Sequence, residues 1–341
     1  YYLLSIILNG TLAVWLFWVM SGVALSYSFF RKKSNLETHC NTSILYIFTK
    51  RYIRLLFPIL VIIMLTWLFL SAGAITNGVL ASKFGGAYES GPNSWLKAQW
   101  LTTQPDFINA IKSAFYYTFF NYHATPTYNS VLWTMNPELI GSFIVFILLN
   151  LAKTQNKRCG LYVATVFLSF VTNISIHFYC FIFGLIICDL HFNLKLPNSP
   201  AIKKTLAFFI AILFAIGASQ NNHAGLSYLV ISCALVFAAM SLNLFQRTLT
   251  STIALFLGKI SFSLYLTHML VIGLTISPIY LSIPEIVPRD IAAGITAFLI
   301  FLISIIFATI FNSLVESKSV YVANYTCELL KKLISKIKMN T

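Results

Sequence analysis

Long apolar runs recur from one end of the chain to the other, broken by short polar stretches. A membrane span needs about 20 predominantly apolar residues, with a usual range of about 17–25. Runs of this kind occupy 11–30, 53–74, 131–152, 205–220, 225–242, 261–282 and 291–315. Residues 159–190 are also apolar but are interrupted near Asn173 to His177, which divides them into two short spans, 159–173 and 177–190, joined by a tight turn. The pattern predicts nine spanning helices, an all-α polytopic bundle embedded in a lipid bilayer. No internal repeat, heptad or low-complexity tract is visible.

Composition agrees with the pattern. Hydrophobic residues make up 58% of the 341 positions and charged residues only 9%, against about 25% charged in a soluble domain. The net charge of +14 would suggest nucleic acid in a soluble protein. Here the basic residues fall on alternate loops, as expected where Lys and Arg mark the cytoplasmic side. With 31–52 cytoplasmic, nineteen of the 23 basic residues lie on that side, leaving Lys83, Lys97, Lys112 and Arg289 opposite. The expectation is an outside N-terminus and a cytoplasmic C-terminus, in the cell membrane, with no nucleic-acid partner.

Two segments stand outside this alternation. Residues 75–130 form the largest expected extracytoplasmic loop, with Gly85, Gly86, Gly91 and Pro92, then Trp95 and Trp100, then an aromatic run from Phe115 to Tyr122. Such a run either floats in the interfacial aromatic belt or lines a carbohydrate site, since aromatic faces stack on sugars. The bilayer-embedded domain is expected over 1–315. The remainder, 316–341, reads as a basic tail, amphipathic over 327–341, lying on the anionic inner leaflet.

Charge inside a membrane is costly, so each ionisable residue there is a functional candidate. Asp189 and Glu316 sit at expected inner span ends near water, Glu138 at the outer end of the span 131–152, and His268 inside its span. Pro137 is tolerated in a first helical turn, which sets Glu138 near a positive helix terminus. It either binds hydroxyls and assists a proton transfer or simply complements the helix dipole. His268 is expected about two turns inside the cytoplasmic end of its span, as a base or as a group bonded to a carbonyl. Tyr265, three residues earlier, shares its face. Arg51 and Arg54 also share a face, just before an apolar span, where paired guanidiniums suit phosphate groups or serve as plain anchors. Among the six cysteines there is no CxxC pair and no His at zinc-ligand spacing. They read as small buried hydrophobes, with no metal site implied.

Five segments, in order, carry a family resemblance. They are Val14-Trp-Leu-Phe-Trp-Val-Met-Ser21-Gly22, Arg51-Tyr-Ile-Arg54 followed by Leu-Leu-Phe-Pro58, Trp133-Thr-Met-Asn-Pro-Glu138, Phe181-Ile-Phe-Gly184 and Gly258-Lys-Ile-Ser-Phe-Ser-Leu-Tyr265-Leu-Thr-His268. Together they resemble the acyltransferase-3 family of membrane-bound O-acyltransferases, over about 12 to 316. The resemblance implies a ten-span core. Its first span carries an Arg or Lys, ten residues, then a His that is the usual candidate for the catalytic base. Nothing here matches that span, so the chain is expected to begin just after it, as a fragment whose activity is not implied. His268 matches a different family position and does not take that role.

The resemblance further implies an enzyme that moves an acyl group, commonly acetyl, from acyl-coenzyme A to a hydroxyl of an extracytoplasmic glycan or lipid-linked sugar. Arg51 and Arg54 would hold the donor's phosphates. Glu138 would face the acceptor, and His268 and Tyr265 would supply hydrogen bonds. A rival reading is a transporter or flippase for a glycan or lipid. That reading predicts repeats with broken helices, and none is visible. Two others are a different membrane acyltransferase family, whose intramembrane His follows an Asn, and a non-catalytic membrane scaffold.

Overall fold

The computed structural model describes residues 9–31, 44–83, 99–100, 103–123, 127–152, 155–193 and 225–340, with the side chains of 155–157, 243–244 and 333–340 excepted. Every regular element among them is helical. The main helices are α1 (Gly10–Arg31), α2 (Ile44–Ser71), α3 (Asn77–Lys83), α4 (Phe107–Lys112), α5 (Met135–Leu151), α6 (Gln155–Val171), α7 (His177–Asn193), α8 (Gly225–Ser241), α9 (Asn243–Leu249), α10 (Thr252–Ser282), α11 (Arg289–Phe311) and α12 (Ser317–Asn340). Five continuous helical stretches are long and apolar enough to cross a membrane: 10–31, 44–71, 130–151, 252–282 and 289–332. The predicted spans 159–173, 177–190 and 225–242 fall on shorter apolar helices, and 205–220 lies outside the described residues. At about 1.5 Å per residue, a helix of 17 residues reaches about 26 Å, short of a hydrocarbon core of about 30 Å. Among the described residues, five of the nine expected spans thus fall on helices long and apolar enough to cross and three on shorter apolar helices.

The chain forms two compact units, 1–48 with 137–255 and 49–136 with 256–341. In the first, α1 presents Leu12, Trp15, Trp18, Val19, Gly22, Ser26 and Phe30 as one buried stripe, at the three-and-four spacing of a single helix face. That stripe packs on Cys180, Phe181, Leu185 and Cys188 of α7, with Val145 and Leu148 of α5 and Leu229 of α8 in the same core. Glycines set the closest approach. A Cβ on Gly22 would lie 2.5 Å from the Phe181 carbonyl oxygen, and one on Gly184 would run into the Val19 carbonyl oxygen. The motif residues Gly22, Phe181 and Gly184 are thus one helix–helix contact. Membrane helices associate through such small residues because lipid supplies no hydrophobic drive between them.

The interruption predicted near Asn173 is present. Asn173 adopts φ 49°. Its N–H donates to the Phe170 carbonyl, and the Ile174 N–H to that of Ser169. This pair of bonds is a Schellman ending, in which a left-handed residue satisfies the last helical carbonyls. Beyond the turn, His177 lies against Trp15 and Trp18, with ring centroids 5.3 and 4.8 Å away.

The opposite end of α7 corrects the reading of Asp189 as a water-facing span end. Arg158 Nη1 donates to its carboxylate at 2.9 Å, Tyr162 donates at 2.7 Å, and Asn193 adds a further bond. The Arg158 guanidinium also sits 5.4 Å from the Phe30 ring centre. The expectation of buried cysteines holds for Cys180, Cys188 and Cys327. Cys233 is half-buried and Cys159 is exposed, while Cys40 is outside the described residues.

In the second unit α10 is the organising element. It starts at Thr252 rather than 261 and runs 31 residues, about 46 Å. Its Gly273 carbonyl accepts from the Thr76 N–H at 3.0 Å. Ser277 donates to the Thr76 carbonyl and accepts from the Leu80 N–H. Trp100, at φ 60°, lays its ring where a Cβ on Gly273 would stand and donates from its indole to the Tyr128 carbonyl at 2.8 Å. Tyr128 in turn donates to the Asp106 carbonyl at 2.7 Å. Part of the 75–130 segment is thereby seated on α10. Residues 84–98, with Gly85, Gly86, Gly91, Pro92 and Trp95, are outside the described residues.

The aromatic run after Phe115 belongs to α4, a π turn (Ser113–Tyr117) and a last α turn (Thr118–Phe120). Phe115, Tyr116 and Phe120 are exposed and Phe119 is fully buried.

The helix of 291–315 does not stop at 315. It passes through a second π turn, Asn312–Glu316, into α12. Glu316 is no water-facing terminus. It accepts from Ser263 and from Asn312 Nδ2, which also donates to the Lys259 carbonyl.

Candidate functional site

Glu138 lies in the first turn of α5, as Pro137 beside it suggested. Its side chain is 1% exposed. Ser21 Oγ of α1 donates to its Oε1 at 3.0 Å, and Ser142 donates to its backbone carbonyl at 2.5 Å. One turn along α5, Gly141 leaves the space in which the Phe181 ring packs. Ser21, Phe181 and Glu138 come from three different motif segments and meet in the first unit.

Tyr265 and His268 lie in the second unit, with Arg51 and Arg54. Because α10 begins nine residues earlier than expected, His268 is its seventeenth residue and sits mid-helix, not two turns from an end. His268 Nδ1 lies 3.1 Å from the Leu264 carbonyl oxygen. A carbonyl only accepts, so this bond puts the proton on Nδ1 and leaves the Nε2 lone pair available. The Tyr265 ring centre is 6.1 Å away, which bears out the shared face. The Tyr265 hydroxyl donates to the Val131 carbonyl and lies 2.6 Å from Thr134 Oγ1. Thr134 Oγ1 also donates to the Val131 carbonyl, at 3.2 Å, so both hydroxyls converge on that oxygen.

Sequence reading missed the partners. Thr134 is 1% exposed and follows Trp133 in the Trp-Thr-x-x-x-Glu segment. Asn129 caps the 3-10 turn Ser130–Thr134 by accepting from the Val131 N–H and donates to the Leu266 carbonyl at 2.8 Å. Asn136 donates to the Phe119 carbonyl at 2.5 Å. The signal for these was a run of Asn and Thr flanking the motif. Their partners are more than a hundred residues away in two of the three cases, which spacing alone does not reveal.

Arg51 and Arg54 lie within α2, which starts at Ile44, ahead of its buried residues from Leu55 onward. Arg51 is half-buried and Arg54 exposed. Tyr52, between them, donates to the Phe115 carbonyl at 2.6 Å and fixes this turn of α2 against the aromatic segment. Among the described residues no group of three or more His, Cys, Asp or Glu could hold a metal ion.

The unit holding Glu138 also contains a cavity of about 1090 Å³, walled mainly by apolar side chains of α6 and α7 together with Arg158 and Asp189. None of the five candidate residues lines it.

The geometry thus gathers four of the five motif segments into two polar centres built on apolar helices. The family model described as an acyltransferase domain matches residues 1–315. The chain belongs to the acyltransferase-3 family. No curated protein and no solved structure matches it. As an acyltransferase-3 protein with five helices long and apolar enough to cross a bilayer, it is a membrane protein of a transferase family.

Proposed function

We propose that the protein is a membrane O-acyltransferase that moves an acyl group, commonly acetyl, from acyl-coenzyme A to a hydroxyl of an extracytoplasmic glycan or lipid-linked sugar. The observation that carries this reading, beside family membership, is Glu138, a carboxylate 1% exposed and hydrogen-bonded by Ser21. A buried carboxylate costs several kcal/mol, and chains seldom keep one in an apolar bundle without a use.

In the reaction the acceptor oxygen bonds to the thioester carbonyl carbon as the carbon–sulfur bond breaks. The hydroxyl proton leaves to a base, and the coenzyme departs as its thiol after taking up a proton. Glu138 receives or orients the hydroxyl proton. Tyr265 acts through its bonds to Val131 and Thr134 and holds His268 in register. His268 Nε2 is the free position for a further hydrogen bond. Arg51 and Arg54 bind the donor's phosphates from the cytoplasmic side, where the C-terminus also lies. The host membrane is the cell membrane.

The test is transfer of labelled acetyl from acetyl-coenzyme A to membrane glycan by the purified chain in proteoliposomes. Glu138→Gln is expected to lower kcat by about 10²–10⁴-fold with normal insertion, and wild-type turnover in that variant removes Glu138 from the chemistry. Arg51→Ala and Arg54→Ala each remove charge-assisted bonds of about 1.5–3 kcal/mol. Each is expected to raise the Kd for acetyl-coenzyme A by roughly 10- to 100-fold, and unchanged affinity in both refutes the donor site.

A further inference from the structure

Beneath the π turn Ser113–Tyr117, the second unit has a partly open cavity of about 210 Å³. At about 30 Å³ per water it has room for about seven waters. Sites for drug-sized ligands run to about 300–1,000 Å³, so this one is the size of a single small ring.

Its chemistry is narrow. The amides of Asn109 and Asn129 and the hydroxyls of Ser113, Thr118 and Thr127 line it. Tyr117 and Tyr122 add aromatic faces. Burial holds the Tyr122 phenol above its usual pKa, so it stays a neutral donor, here to the Ser130 carbonyl. Thr118 is 3% exposed. Among those residues no Asp, Glu, Lys or Arg lines the cavity.

These facts exclude most ligand classes. A phosphate or carboxylate is best held by the donors of Arg or Lys, and the wall offers neither, only the imidazole of His123 beside its amides and hydroxyls. An acyl chain calls for apolar walls, whereas here Ile63 and Leu132 stand among nine polar-tipped residues. What remains is a neutral molecule with many hydroxyls and an apolar ring face to lay on an aromatic side chain.

Two structural details mark the cavity as built. Ser113 and Tyr117, the first and last residues of the π turn, both line it, and π turns are rare and recur at functional sites. Its wall is also tied to the Tyr265 and His268 helix, since Asn129 donates to the Leu266 carbonyl and Leu132 follows the Val131 that accepts from Tyr265.

We propose that this cavity is the acceptor subsite and holds one neutral sugar ring. The assignment rests on the O-acyltransferase reading for its role, while the ligand class rests on the cavity itself.

The test uses the full chain in lipid nanodiscs, with no acyl donor, and saturation-transfer NMR with methyl glucoside, methyl galactoside and methyl N-acetylglucosaminide, with glycerol as control. At least one glycoside is expected to receive saturation at its ring protons above the glycerol level. Ser113→Leu, which fills the cavity, and Asn109→Ala, which removes an amide, are each expected to weaken that binding tenfold or more, at an unfolding temperature that verifies the fold. No glycoside above the control, or equal binding in both variants, overturns the subsite. Acetyl transfer separates this from the wider reading. Glycoside binding lost in Ser113→Leu without any wild-type transfer keeps the subsite and discards the acyltransferase role. Wild-type transfer kinetics retained in Ser113→Leu do the reverse.

Discussion

Arg158 and Asp189 show what a single side chain carries in this protein. Their side chains are 9% and 13% exposed, at 2.9 Å, so breaking the pair leaves one charge stranded in an apolar surround. Asp189→Ala or Arg158→Met alone is expected to cost about 3–5 kcal/mol. The double variant Arg158→Met/Asp189→Leu is expected to be more stable than either, because no stranded charge is left. Thermal unfolding in detergent measures all three, and a double variant as unstable as the sum of the singles refutes the ion pair's role. Tyr265→Phe makes a second residue-level test. It removes one of the two donors to the Val131 carbonyl and leaves it the bond from Thr134 Oγ1, a loss of about 1 kcal/mol. Sequence reading found Asp189, Glu316 and Tyr265 as residues of interest but assigned the first two to water and missed their protein partners. Their partners, Arg158 for Asp189 and Ser263 for Glu316, are 31 and 53 positions away, and periodicity along one helix carries no information about another.

At the scale of elements, the same sequence pattern hides two kinds of glycine. Gly22, Gly184 and Gly258 all stand in family segments, and nothing in the residues alone separates them. Around Gly258 there is no atom within 4 Å of an added Cβ, whereas Gly184 faces the Val19 carbonyl and stands 3.0 Å from Gly22 Cα. Gly184→Ala must push α1 and α7 apart, at about 1–3 kcal/mol or more, since backbone rather than a flexible side chain is in the way. Gly258→Ala, inside α10, is expected to be neutral or to gain about 0.5–1 kcal/mol from the lower backbone entropy of the unfolded chain. Equal unfolding temperatures for the two variants refute the account of the α1–α7 contact. The split of 159–190 was legible because Asn173 and the polar residues after it are turn chemistry in plain sight. The true starts of α2 and α10 were not, since each begins with a polar-containing turn or more that an apolar window discards.

Across the whole molecule, length and charge answer different questions. Length says which stretches can cross. The stretch 289–332 is 44 residues, about 66 Å at ~1.5 Å per residue, roughly twice a hydrocarbon core. Its second half therefore extends beyond the bilayer, on the side to which Lys318, Lys331 and Lys332, all exposed, are drawn. Basic residues generally accumulate on cytoplasmic loops, so that side is expected to be the cytoplasm and the loop at Ile286, between α10 and α11, is expected opposite. Ile286 is 92% exposed and Gln246, beside Arg247 in α9, is exposed as well. With the exposed Cys159 replaced by Ser, Ile286→Cys is expected to react with a membrane-impermeant maleimide in intact cells. Gln246→Cys and Lys331→Cys are expected to react only after the membrane is opened. Labelling of Lys331→Cys from outside would reverse the orientation and with it the cytoplasmic placing of Arg51 and Arg54. Labelling of Ile286→Cys and Lys331→Cys from the same side would mean that the 44-residue helix turns back without crossing. The donor assignment depends on which face of the membrane Arg51 and Arg54 reach, so this experiment constrains the mechanism before any substrate is known.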